Sequence, residues 1–255
     1  MVEDVWSEIL KEANQVLKSQ VSMRQLIGSY ILDHDGLTSS LAFILGQKLG
    51  NTHMTASIIS DLAKIAHSST DLSVAACFDI TAVKERDPAC VRFIQPLLYF
   101  KGFLALQAYR LSNYLFYKGK EDYAYFIQMR SSEIFGVDIH PAARIGKSIM
   151  IDHAHSIVIG ETAVVGDNVS MLHNVTLGGT GKDSGDRHPK VGDGVLLGAG
   201  CSVLGNITVG RCSKVASGSV VLSSVPEYKT VAGVPAKIVG ESGCDQPSKS
   251  MDHKL

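Results

Sequence analysis

Side chains able to move protons cluster around His153. The segment reads Asp152-His153-Ala154-His155, so an imidazole directly follows a carboxylate. Histidine has an ordinary pKa of about 6.5 and is mostly neutral at pH 7, where a ring nitrogen can accept a proton. A carboxylate bonded to one ring nitrogen fixes the tautomer and directs the other nitrogen to a substrate. The pattern predicts a general base at His153.

A second polar segment has the composition of an anion-binding loop. It reads Asp186-Arg187-His188-Pro189. A guanidinium can bind a carboxylate through two parallel hydrogen bonds, and the neighbouring imidazole can donate a third. We therefore predict that Arg187 and His188 bind a substrate carboxylate.

Both segments interrupt a six-residue repeat that runs from 139 to 225. An apolar residue returns at every sixth position and is often followed by glycine. A period of six fits neither a helix nor a single strand, so each unit is predicted to be a short extended segment with a tight corner. Such units stack as a β-solenoid. The spacing lengthens to eight over 151–159 and to fourteen over 177–191, and we expect these insertions to leave the scaffold as functional loops.

The glycine distribution divides the chain. Only 6 of the 24 glycines precede Gly136, and apolar residues before it recur at helical spacing. The sequence predicts an all-α domain over 1–135 that contributes to oligomerisation, a solenoid catalytic domain over 136–240, and a polar, flexible tail over 241–255.

Two local predictions concern the helical half. One long helix is expected from about 96 to 118. Asp87 precedes Pro88, and this pair is typical of a helix N-cap followed by the first helical position.

Composition argues against several classes of partner. The 24 Lys and Arg residues balance 25 Asp and Glu residues, so neither a nucleic acid nor a membrane surface is indicated. The acidic N-terminus lacks a signal pattern, and no apolar run reaches about 18 residues, which predicts a cytoplasmic protein. The five cysteines show no metal or disulfide spacing, so we expect reduced thiols.

Several motifs together resemble the serine O-acetyltransferase family of hexapeptide-repeat acyltransferases. They are Asp138-Ile139-His140-Pro141-Ala142-Ala143, Asp152-His153, Gly160-Glu161-Thr162-Ala163, Thr176-Leu177-Gly178-Gly179-Thr180-Gly181-Lys182 and Gly185-Asp186-Arg187-His188-Pro189-Lys190. The resemblance implies a left-handed parallel β-helix behind a helical domain, assembled as trimers or dimers of trimers. It also implies transfer of acetyl from acetyl-CoA to L-serine, the first step of cysteine synthesis from serine, with L-cysteine as a competing inhibitor.

The resemblance also assigns roles to residues. It implies that His153 is the base and Asp138 its partner. It implies that the Asp87 carboxylate holds the serine amino group. Asp152 is expected to share that role, while Arg187 and His188, contributed by a neighbouring subunit, bind the serine carboxylate.

Acetyl-CoA is expected as a cosubstrate, with neither a metal nor a tightly bound cofactor. Its extended arm needs a wall with backbone donors and small side chains. Candidate residues along that wall, with lysines for its phosphates, are Gly179, Thr180, Gly181, Ala199, Ala216, Ser217, Lys214 and Lys237.

Two features depart from the family pattern. His155-Ser156 stands where Thr-Gly is usual, which places a second imidazole near His153. The tail ends in Leu255, whereas relatives that dock into the cysteine synthase O-acetylserine sulfhydrylase usually end in isoleucine. That partnership is therefore a hypothesis here.

Two alternatives remain at this point. One is a hexapeptide acyltransferase for homoserine or a sugar, although Arg187 and His188 favour an amino acid. The other is a zinc hydratase of the γ-carbonic-anhydrase type, because His153 and His173 occupy equivalent repeat positions and His155 is close.

Overall fold

A computed structural model of the chain describes residues 2–68, 71–181 and 184–254. The N-terminal part is helical, and none of its described helices is long and apolar enough to cross a membrane. The helices are α1 (Val2–Ser19), a 3-10 turn (Val21–Met23), α2 (Arg24–Ile27), a π-helical turn (Gly28–Leu32), α3 (Leu37–Leu49), α4 (Ala56–Ser68), α5 (Leu72–Arg86), α6 (Ile94–Tyr99), α7 (Lys101–Tyr117) and α8 (Glu121–Phe135).

The long helix expected over 96–118 is broken. Phe100 has φ −95° and ψ 102°, an extended conformation that ends α6 and starts α7. Asp87 is not a helix N-cap either. It ends α5, and its Oδ1 accepts the Ala89 N–H at 2.8 Å in a tight turn.

The solenoid prediction is confirmed by the strands that follow. The strands are β1 (Val137–Ile139), β2 (Arg144–Ile145), β3 (Met150–Ile151), β4 (Ile157–Ile159), β5 (Val164–Val165), β6 (Ser170–Met171), β7 (Thr176–Gly178), β8 (Lys190–Val191), β9 (Leu196–Leu197), β10 (Ser202–Leu204), β11 (Thr208–Val209), β12 (Lys214–Val215), β13 (Val220–Val221), β14 (Lys229–Gly233) and β15 (Ala236–Glu241). Through β13, successive strands enter three sheets in rotation and pair in parallel, whereas β14 and β15 form an antiparallel pair within one sheet.

Three sheets form the sides of the solenoid. Sheet A holds β1, β4, β7, β10 and β13, sheet B holds β2, β5, β8 and β11, and sheet C holds β3, β6, β9, β12, β14 and β15. The apolar repeat residues are in register, so Ile139 lies beside Ile159 and Ile159 beside Leu177, all buried. The chain therefore turns at a CA corner, from sheet C to sheet A, and at an AB corner, from sheet A to sheet B. The two insertions lie at these two corners.

A buried charge network joins the helices to the first coil. Asp79 on α5 accepts hydrogen bonds from Arg110 on α7, at 2.7 and 2.9 Å, and from Gln107. Its other oxygen accepts the Ile149 N–H, and Arg110 also donates to the Gly146 carbonyl. Breaking such a buried pair typically costs about 3–5 kcal/mol. The network therefore fixes α7 against the first coil of the solenoid, which also carries His153.

Residues 242–254 lie on the solenoid rather than extending freely, as the expected flexible tail would. A short helix, α9 (Pro247–Ser250), buries Ser248, whose carbonyl accepts the Ser170 hydroxyl at 2.8 Å. Met251 packs in a small apolar cluster with Val83 and Met150. Polar composition alone did not reveal these specific contacts. Leu255 lies outside the described residues.

Candidate active site

The loop at the CA corner holds His153 in an unusual backbone conformation. His153, Ala154 and Ser156 have φ of 58°, 52° and 56°, in the left-handed region that favours glycine. The first turn of α7 presses against this loop at Gly102. A Cβ there would lie 2.0 Å from the Ile151 carbonyl oxygen. Only glycine permits this approach, which brings the helical domain to the general-base candidate.

A cavity of about 580 Å³ opens where these two regions meet. Asp87 and Lys101 line it from the helical domain, and Asp152 and His153 line it from the solenoid. Phe100, Phe103 and Met150 contribute apolar wall. Three of the predicted site residues therefore line one cavity, although up to 66 sequence positions separate them. They are Asp87, Asp152 and His153.

The His153 imidazole is accessible within this site. Its side chain is 66% exposed, and Nε2 lies 3.5 Å from Asp152 Oδ2. The His173 ring, one coil further along the CA corner, packs edge-on with its centroid 5.7 Å away. A ring in this position can exchange protons with a ligand in the cavity.

Asp138, predicted as the partner of His153, is not bonded to it among the described residues. It projects from β1, where it pairs in register with Val158. Its Oδ1 accepts a 2.7 Å hydrogen bond from Gln128 Nε2 of α8. Sequence reasoning missed Gln128 because nothing in its local sequence distinguishes it from a surface glutamine on a helix.

Arg187 and His188 lie at the opposite edge of sheet A, at the AB corner. Arg187 Nη2 pairs with Glu161 Oε2 at 2.7 Å, and its backbone N–H donates to Thr162 Oγ1. This pairing holds the pKa of the Glu161 carboxyl below its usual range. Neither Arg187 nor His188 lines the cavity that holds His153.

The His188 ring is fixed as a hydrogen-bond donor. Its Nδ1 accepts the Thr162 backbone N–H at 3.2 Å, so the neutral ring carries its proton on Nε2. Burial first, and then the nearby Arg187, lowers the pKa of His188. The ring packs on Gly160, where a Cβ would lie 2.0 Å from Nε2. The Gly160-Glu161-Thr162 motif therefore positions the His188 ring through close packing and a hydrogen bond. Sequence reasoning did not assign this role.

The predicted acetyl-CoA residues divide between the two corners. Ala199, Ala216 and Ser217 follow β9 and β12 at the CA corner and continue the column that His153 and His173 begin. Gly179, Thr180 and Gly181 follow β7 at the AB corner.

The two lysines expected to meet phosphates have different surroundings. Lys214 is 6% exposed, and its ammonium donates to the carbonyls of Asp252 and Lys254 at 3.3 and 2.5 Å. Because the Lys214 ammonium is bonded to these carbonyls, it is not placed to contact a phosphate of acetyl-CoA, as was expected. Lys237 is exposed and lines a cleft of about 380 Å³ at the end of the solenoid.

His155, which departs from the family pattern, bonds away from His153. Its Nδ1 lies 3.0 Å from Lys101 Nζ, and burial lowers the pKa of the Lys101 ammonium. Over residues 2–68, 71–181 and 184–254, no group of three or more His, Cys, Asp or Glu side chains is placed to hold a metal ion.

Comparisons with known proteins show the family of this chain. A family model for the N-terminal region of serine acetyltransferase matches residues 5–108, and a bacterial transferase hexapeptide model of six repeats matches residues 188–223. The serine acetyltransferase of Salmonella typhimurium is 49% identical over 252 residues, which cover 98% of this chain and 92% of that protein.

Two solved structures are similar over nearly the whole chain. A serine acetyltransferase from Brucella abortus strain S19, in complex with coenzyme A, has a TM-score of 0.93 and 49% identity, covering 94% of this chain and 97% of that one. A serine acetyltransferase in complex with cysteine has a TM-score of 0.98 and 45% identity, covering 100% of both chains.

Proposed function

The chain belongs to the serine acetyltransferase family, and from that premise we propose how its residues catalyse the reaction. The enzyme transfers acetyl from acetyl-CoA to the L-serine hydroxyl, giving O-acetyl-L-serine and CoA. The observation that carries the proposal is the cavity that brings Asp87, Asp152 and His153 together from two domains.

The serine zwitterion fits the charges at the two corners. Its ammonium lies between the carboxylates of Asp87 and Asp152, and its carboxylate is bound by the guanidinium of Arg187 and the Nε2–H of His188. This places the serine hydroxyl at His153. A sugar has neither charge, and homoserine would carry its hydroxyl one methylene further.

The reaction is a direct attack in a ternary complex, without an acetyl-enzyme. His153 takes the hydroxyl proton while the serine oxygen bonds to the thioester carbonyl carbon. The tetrahedral oxyanion collapses, the carbon–sulfur bond breaks, and the CoA thiolate takes the proton back from His153. Asp138 orients the imidazole and stabilises its protonated form. General-base catalysis of this kind contributes roughly 10²–10⁴ in rate.

One chain does not bring its own His153 to its own Arg187, because they lie at opposite edges of sheet A. We propose a homo-oligomer, a trimer or a dimer of trimers, in which the CA corner of one subunit faces the AB corner of the next. Acetyl-CoA then lies between the two columns of small residues, with its phosphates near Lys237.

Mixed oligomers test the shared site. His153→Ala and Arg187→Ala subunits are each expected to be nearly inactive alone. When they are dissociated and reassembled together, some interfaces combine an intact His153 with an intact Arg187, and activity returns. If His153 and Arg187 of the same chain formed each active site, mixing the two variants would restore no activity.

Thiol release from acetyl-CoA tests the reaction itself. We expect activity with serine, much less with homoserine and none with a sugar, and a large loss in His153→Ala. Activity confined to a sugar, or full activity in the variant, would reject the proposal.

L-cysteine has the same zwitterion as serine, so we propose that it competes at this site. The relative solved with cysteine supports this. Docking of the tail into O-acetylserine sulfhydrylase and a cytoplasmic location remain predictions from the sequence.

A further inference from the structure

Gln128 is a polar side chain of the helical domain that reaches the solenoid. It lies on α8, seven residues before the helix ends at Phe135, and donates its Nε2–H to Asp138 Oδ1 at 2.7 Å. The bond is partly buried and joins α8 to β1. It therefore links the orientation of the Asp138 carboxylate to the helical domain.

Asp138 has one oxygen left for another partner. Among the described residues, the hydrogen bond from Gln128 is the one that reaches this side chain, so Oδ2 is open. The strand bearing Asp138 lies beside the loop of His153, since the Ile157 N–H donates to the Gly136 carbonyl and Asp138 pairs with Val158. The open oxygen belongs to a carboxylate at the edge of that loop.

We propose that Gln128 is a positioning residue for the general base. It holds Oδ1 of Asp138 so that Oδ2 faces the imidazole of His153 when serine and acetyl-CoA are bound. This inference rests on the proposed function, in which Asp138 partners His153. A carboxylate can fix an imidazole only if the carboxylate is itself fixed, and a donor on one oxygen removes its freedom to rotate.

Two substitutions separate positioning from packing. Gln128→Met keeps the length and removes the donor, and we expect kcat to fall about tenfold, the loss typical of one hydrogen bond to a charged group. KM for serine and for acetyl-CoA should stay within about twofold, since Gln128 bonds to Asp138 and does not line the cavity that holds His153. Gln128→Glu places a second carboxylate beside Asp138, so the pair retains a proton to higher pH. The acid limb of its kcat profile should move to higher pH relative to Gln128→Met.

A double-mutant cycle provides the decisive measurement. In an Asp138→Asn background, Gln128→Met should cause no further loss of kcat, because the carboxylate that it positions is gone. A full additional tenfold loss would show that Gln128 acts elsewhere and would overturn the proposal. Wild-type kcat in Gln128→Met would overturn it as well.

The outcomes also distinguish this inference from the function on which it rests. If Asp138→Asn loses activity but Gln128→Met does not, only the role of Gln128 fails. If Asp138→Asn keeps wild-type kcat, the partnership with His153 fails and the role of Gln128 fails with it. Met129→Leu, an exposed change on the same helix, serves as the matched control. Thermal melting and oligomer size establish that each variant is folded.

Discussion

The two loops that leave the solenoid hold their histidines in opposite ways. His153 is exposed, has a left-handed backbone, and its ring lies near Asp152 and His173. His188 is 7% exposed, and its Nδ1 accepts a hydrogen bond from the Thr162 backbone N–H. A base must gain and lose a proton in each turnover, so it needs access. A ligand for a carboxylate acts best when it is rigid and keeps one protonation state.

The largest effects should separate the two histidines kinetically. His153→Ala should lower kcat by roughly 10²–10⁴ with little change in KM for serine, because a base acts in the transition state. His188→Ala should instead raise KM for serine by about 10- to 100-fold, the value of a hydrogen bond to a charged group. Steady-state kinetics with varied serine check this. Equal loss of kcat in both variants would contradict the division of roles.

Two glycines allow the same division to be tested without touching a histidine. Gly102→Ala would push α7 from the loop of His153 and should lower kcat, whereas Gly160→Ala would displace the His188 ring and should raise KM for serine. Each methyl group overpacks a tight contact, at a cost of about 1–3 kcal/mol in stability.

Gly240→Ala is the control for these variants, because no atom lies within 4 Å of the added Cβ. Urea unfolding and steady-state kinetics measure both effects. A rise in KM for Gly102→Ala with unchanged kcat would reverse the assignment.

The pH dependence of stability should depend on His188. Its lowered pKa means that the unfolded chain binds this proton more readily than the folded chain. The stability linked to neutral His188 is therefore present above its unfolded pKa of about 6.5 and is lost as pH falls through the folded pKa. His188→Gln should lose less thermal stability than wild type on acidification from about pH 6.5 to 5.

Calorimetric melting temperatures across that range check the prediction. His253→Gln, at an exposed position, is the control and should follow wild type. Burial also lowers the pKa values of His67 and His140, and both residues are kept in every variant. Parallel curves for wild type and His188→Gln would disprove the linkage.

The smallest expected effect concerns the strain of the His153 loop. Ser156 has φ 56°, a conformation that costs a non-glycine residue about 1–2 kcal/mol. Ser156→Gly should stabilise the folded state by about 1 kcal/mol, after part of the gain is offset by greater freedom of the unfolded chain. Ser156→Ala should give no gain. Urea midpoints for the three proteins decide the matter.

The sequence alone determined the solenoid and its loops. A six-residue apolar period fits stacked coils, and two lapses in that period mark where His153 and Arg187 leave the scaffold. These features could be predicted because they depend on local spacing and on burial of one face of each strand.

Only the tertiary structure decided which residues meet. It brought Asp87 and Lys101 to His153, paired Gln128 with Asp138, seated His188 on Gly160 and placed residues 242–254 on the solenoid. It also placed Arg187 at the opposite edge of sheet A from His153. Such contacts join residues that are distant in sequence, and they depend on how helices dock against coils. No local periodicity records that docking, because its energy comes from a buried charge network and from close approaches that only the folded chain contains.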